Sequence, residues 1–110
     1  MPDLNPKPLP PDLSFKALFY ANTSYDYFAD AASQPFQFTA DRFESVNAWW
    51  LAEVSLLSYV QQHDFVSRKL ADAGLPNCEF FENETTGTQA FIAHNSDFII
   101  VCFRGTEMDR

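Results

Sequence analysis

The chain has 110 residues, 46% of them hydrophobic and 16% aromatic, with a formal net charge of −8. That length suits one small domain with a real core, and the apolar content excludes a largely disordered chain. The acidic balance, with no Lys/Arg cluster to offset it, argues against nucleic-acid partners, and no apolar run is long enough to cross a bilayer.

Residues 1–14 form a proline-rich lead-in, read as mobile: five of the seven prolines fall there. The opening "MPDLNPKPLPPDLSF" has no apolar core after a basic start, so no secretory signal is read and the location is read as cytoplasmic. "NTS" at Asn22 and "NET" at Asn83 match the glycosylation acceptor pattern and are read as polar turns. Residues 15–110 are taken as one incomplete domain. Over 15–43 aromatics alternate irregularly with small and polar residues, as in "FKALFYANTSYDYFADAASQPFQF". With no clean period, this is expected to wrap its rings onto a core rather than form an aromatic ligand pocket.

From Ser45, Val46, Trp49, Trp50, Val54, Leu57 and Val60 recur at three- and four-residue steps. The spacing predicts a helix capped by Ser45 and packed on more than one side. Neighbouring residues on a helix point about 100° apart, so Trp49 and Trp50 fill two parts of a core rather than stack on one ligand. A second helix begins with Asp64 as cap, buries Phe65, Val66 and Leu70, and stops at Gly74 and Pro76. His63, with no ligand-spaced Cys, His or carboxylate around it, is read as a solvated boundary residue, and no metal site is found.

Three strands follow, "CEFFE", "TQAFIAH" and "DFIIVCF", joined by the turn formers "NETTG" and "NS". Joints this short require an antiparallel meander. Cys78 and Cys102 then lie on its outer strands, about 9–10 Å apart, too far for a disulfide, and are read as free thiols. The third run is apolar on both faces and is expected to be covered from above and below, as a central strand is. Left without its next neighbour, "FIIVCF" has no charge or proline to discourage pairing, so the isolated chain is expected to self-associate.

That strand delivers Arg104, Gly105 and Thr106. Gly105 permits a sharp turn and close approach, and Thr106 offers a backbone N–H and a hydroxyl at the strand's C-terminal end. Taken together, "NAWWLAEVSLLSYV" and "FIIVCFRGTE" some forty residues later resemble the N-terminal part of the class 3 lipase family. The resemblance spans residues 25–110 and implies an α/β fold, the opening part of an α/β-hydrolase in which two helices and the meander lead into a central sheet.

It also implies a role for Thr106 in the oxyanion hole, with Arg104 and Gly105 supporting the loop, and hydrolysis of acylglycerols or other carboxylic esters without a cofactor. Arg104 is expected to hold that loop through carboxylate contacts. In the family a serine in a G-x-S-x-G elbow, an aspartate and a histidine come later in the chain. No serine of this sequence has that context, and His63 and His94 both precede the motif, the wrong order for a triad. The chain is read as a truncated N-terminal portion, inactive alone, of a lipase or esterase. Two alternatives stay open: a free-standing α+β binding module, and a non-functional gene product.

Overall fold

The computed structural model describes residues 23–105; the lead-in over 1–14 and Thr106 lie outside them. Two helices precede an open three-stranded antiparallel sheet, in the order α1 (Ser45–Leu57), α2 (His63–Asp72), β1 (Asn77–Asn83), β2 (Thr88–His94) and β3 (Ile99–Phe103), with a short 3-10 turn at Ala31–Ser33.

Helix α1 starts as expected, but Ser45 is its first residue and Glu44 the cap, with no side-chain capping bond. The expected cap is therefore displaced by one position. The helix also ends at Leu57, three residues short of Val60. There the Tyr59 and Val60 amides turn back to Leu56 O and Leu57 O, tightening the last turn. Its buried residues are Val46, Trp50, Glu53, Val54 and Leu57. Trp49 is half-buried, its ring edge-on to Trp50, so the pair does fill two parts of the core.

Helix α2 starts one residue before the expected cap: Gln62 holds the cap position and Asp64 lies in the first turn, near the positive end of the helix dipole. Its other end agrees with the sequence. Gly74 adopts φ 98°, its N–H bonds Ala71 O, and Leu75 N–H reaches back to Leu70 O. This is a Schellman closure. It brings Leu70 and Leu75 into the interior, both fully buried.

The sheet order is β1-β2-β3, in the register Phe80↔Phe91↔Cys102 and Phe81↔Ala90↔Phe103. Cys78 faces Ala93 rather than Cys102, and both thiols are free. Alternation sends Phe91, Ala93, Ile100 and Cys102 into the core, where α2 packs on β1 and α1 on β3. The expectation that β3 is covered on both faces fails among the described residues. Ile99, Val101 and Phe103 are 66%, 55% and 68% exposed, because both helices lie on the opposite face.

Residues 15–22 of the aromatic segment, Asn22 among them, lie outside the described residues; from Tyr25 to Phe36 the segment wraps the core as expected, whereas Phe38 and Phe43 are exposed. Tyr27 and Phe28 are buried, and Phe36 stacks on Phe98 at 4.7 Å. The period-free sequence concealed its attachment to α1. Glu53 Oε1 accepts from Phe28 N–H and Oε2 from the Tyr25 hydroxyl, both at 2.7 Å. Trp50 Nε1 donates to Gln34 O, and the Asn47 amide clasps both backbone groups of Gln37. Three side chains spaced three residues apart on α1 thus supply the polar partners of a backbone that has no ladder of its own.

Candidate functional site

The residues singled out in the sequence meet where β3 ends. Arg104 N–H donates to Gln89 O at 2.8 Å, which extends the β2–β3 ladder by one pair. The alternation places the Arg104 side chain on the helix-covered face. There its Nε donates to Ser58 O at 2.7 Å and a terminal nitrogen to Val60 O at 3.4 Å. These carbonyls belong to the frayed end of α1, beyond its last turn, and so lack helical donors. Backbone carbonyls thus seat the guanidinium, partners that the sequence did not suggest.

Gly105 follows, and a Cβ placed on it would lie 2.7 Å from the Tyr59 hydroxyl oxygen. No side chain fits there unless Tyr59 moves. The expected close approach is present, and Tyr59 makes it. Thr106, to which the resemblance gives the oxyanion role, lies outside the described residues.

A narrow cleft of about 20 Å³ opens beside this corner, with Ser58, His63, Phe80, Glu82, Gln89 and Arg104 on its walls. Its volume holds about one water. His63 is exposed at the start of α2, as expected, and it also has neighbours: its ring lies flat on Phe80, centroids 3.9 Å apart, and Nε2 sits 3.2 Å from Glu82 Oε2. The cleft thus collects a serine, a histidine and a carboxylate. They do not form a nucleophilic triad, since the Ser58 hydroxyl donates to Ser55 O at 2.6 Å and its residue is buried. A triad requires that proton to face the histidine. The grouping became visible only once β1 was folded against α2, because Glu82 is remote from His63 in sequence.

His94 sits on the uncovered face of the sheet, across from Arg104, with Nε2 3.4 Å from Glu79 Oε2. This keeps it away from the corner. The thiols stand apart as well: burial raises the pKa of both Cys78 and Cys102 above the ordinary cysteine value. Among the described residues no group of three or more His, Cys, Asp or Glu could hold a metal ion, and no helix is long and apolar enough to cross a membrane.

A second hollow, of about 260 Å³, lies over Phe36, Phe38, Trp50 and Phe98, with Asp97 at its rim. Its aromatic floor is the packing of the wrapped segment on the start of β3.

No protein-family model, no curated protein and no solved structure matches the chain.

Proposed function

We propose that the Arg104-Gly105-Thr106 corner is one half of the oxyanion hole of a serine ester hydrolase of α/β-hydrolase type, similar to the class 3 lipases. Its substrates are acylglycerols or related carboxylic esters. Nucleophile, acid and histidine come from sequence beyond Arg110, and the 110-residue chain alone does not turn over esters. The observation that carries this reading is the seating of Arg104 on Ser58 O and Val60 O. It fixes the backbone of the strand end just ahead of Thr106, and Tyr59 closes on Gly105 from the side.

Such rigidity has a chemical use. Ester hydrolysis passes through a tetrahedral intermediate whose carbonyl oxygen becomes an anion. Donors held in place before the reaction stabilise that oxygen more than the ground-state carbonyl. In this reading Thr106 supplies an N–H and a hydroxyl, and the residue after the serine supplies the second N–H.

Extending the polypeptide through the reading frame after Arg110 tests this directly. The longer product is expected to contain a G-x-S-x-G elbow and to be labelled by a fluorophosphonate, whereas the 110-residue chain is not labelled. In the longer protein Thr106→Val should lower kcat about 10²-fold, near 3 kcal/mol, with little change in KM. Thr106→Ser should keep most of the activity. Stoichiometric labelling of any serine in the 110-residue chain overturns the reading.

A further inference from the structure

The two edges of the sheet differ. β1 turns Glu79 and Phe81 to the uncovered face, carries Glu82 on the other, and ends in Asn83, so its free edge is lined with acids and amides. Charges on an edge discourage further strands from adding to it. β3 has none: its residues are Ile, Ile, Val, Cys and Phe, without charge, proline or bulge. Among the described residues β3 pairs with β2 alone.

The direction of its unpaired groups is fixed by the two ends of the ladder. Asn95 N–H bonds Phe98 O, and Arg104 N–H bonds Gln89 O. In an antiparallel pair such positions alternate, so residues 98, 100, 102 and 104 face β2 with their backbone groups. Ile99, Val101 and Phe103 therefore turn both N–H and C=O outward, and the same three residues expose their side chains.

We infer that β3 pairs antiparallel with β3 of a second copy of this chain, about a twofold axis through Val101. In that register Val101 meets Val101, and Ile99 meets Phe103 of the other copy. All three are positions of the hydrogen-bonded kind, so every outward N–H and C=O in 99, 101 and 103 finds a partner. The facing side chains are β-branched and aromatic, the pairs that stabilise neighbouring strands best. Asp97 of each copy comes opposite Gly105 of the other, whereas a parallel register would set Asp97 against Asp97.

The symmetry also limits the assembly. A six-stranded sheet built this way ends on β1 at both sides, where Glu79 and Glu82 repel another β1 edge. The contact is isologous and closes at two copies. The pairing concerns the 110-residue chain; in the longer protein of the ester-hydrolase reading the next strand of the central sheet would take this same edge.

Sedimentation velocity of the 110-residue chain across micromolar concentrations is expected to show a monomer in equilibrium with a dimer, and nothing larger. Val101→Lys and Val101→Pro should each abolish the dimer and leave the far-ultraviolet circular dichroism unchanged, since an edge strand tolerates both. Phe81→Lys, on the same face but on β1, should leave it intact. Amide exchange at Ile99, Val101 and Phe103 should slow as concentration rises.

The exchange measurement needs no variant, so a Val101 variant that fails to fold does not remove the test. A wild-type chain that stays monomeric overturns the inference, as does a dimer that persists in both Val101 variants. Loss of the dimer in Phe81→Lys would mean that the faces stack instead. Growth past the dimer would mean open-ended association. Slow exchange at these three amides in a monomer would mean that residues outside 23–105 cover the edge. Each of these outcomes is incompatible with the paired β3 strands.

Discussion

Residues 25–38 and the β1–β3 meander share the α1 and α2 core, but they are held to it by different forces. The meander carries its own hydrogen bonds in its ladders and attaches through apolar side chains, with Phe91, Ala93, Ile100 and Cys102 buried beneath the helices. The earlier segment has one short 3-10 turn and borrows its polar partners from Asn47, Trp50 and Glu53 of α1. It also bends through two residues at positive φ, Phe28 at 59° and Asp30 at 65°. A bulky residue rarely adopts that conformation, which costs about 1–3 kcal/mol. The bond from Phe28 N–H to the Glu53 carboxylate helps to hold it there. A sheet region thus depends on the pattern of its residues, and a wrapped segment on individual polar anchors.

The strongest way to break the distinction is Glu53→Ala. It strands a buried N–H and a tyrosine hydroxyl and leaves a cavity in the core, at an expected cost of about 3 kcal/mol in urea unfolding. Glu53→Gln keeps an acceptor for Phe28 N–H and should lose less than half as much. The selective sign is in the spectra. Trp50, whose ring lies 5.2 Å from Phe28, should change its near-ultraviolet signal, while amides of β2 keep their protection. Equal loss of protection throughout the sheet would show that the two regions are not separable.

Gly74→Ala probes the meander side, where α2 is closed off before β1. No atom lies within 4 Å of the added Cβ, so the cost is purely that of φ 98°. About 1–2 kcal/mol is expected for a non-glycine residue held in this left-handed region. A neutral result would mean that the turn relaxes to another conformation. Asn47→Ala returns to the wrapped segment and removes a two-way clasp on Gln37 that is exposed to water. It should cost about 1 kcal/mol and increase proteolytic cleavage near residue 37.

The same contrast explains what was legible in the sequence. Both helices, the meander and its order followed from period and turn residues, because those elements satisfy their backbones locally. The Gly74 stop was readable for the same reason. The course of residues 25–38 was not, since it depends on side chains of α1 that a period count treats as core or surface. One signal was available: Glu53 lies on the apolar stripe between Trp50 and Leu57, where a carboxylate needs a reason. At the candidate site, the close approach at Gly105 could be anticipated from its lack of a side chain. The carbonyl seat of Arg104 could not, because it depends on where α1 frays. Likewise the solvated position of His63 was legible, but the stacking of its ring on Phe80 was not, because it depends on β1 folding against α2.

The smallest effect concerns Cys102, which binds the meander to α1 through van der Waals contact and a weak approach of Sγ to Val54 O at 3.8 Å. Burial raises its pKa, with a smaller opposing effect from the Ser58 hydroxyl. A thiol whose folded pKa lies above its unfolded value binds its proton more tightly when folded. Its contribution is therefore fully present below the unfolded pKa, about 8.5, and is lost as pH rises from there toward the folded value. Cys78 shifts the same way, again mainly through burial. Tyr25 is raised too, by burial first and then by its bond to Glu53, but an unfolded tyrosine ionises only near pH 10. Between about pH 8 and 9.5, then, the thiols drive the change among the described residues. Thermal unfolding in this window should show a slightly falling midpoint, and the fall should be shallower in Cys102→Ala, whatever that variant's starting stability. Iodoacetamide should also modify Cys102 more slowly than Cys78, which is only half-buried. A midpoint that rises with pH in this window would show that ionising the thiols favours the folded chain, contrary to their burial.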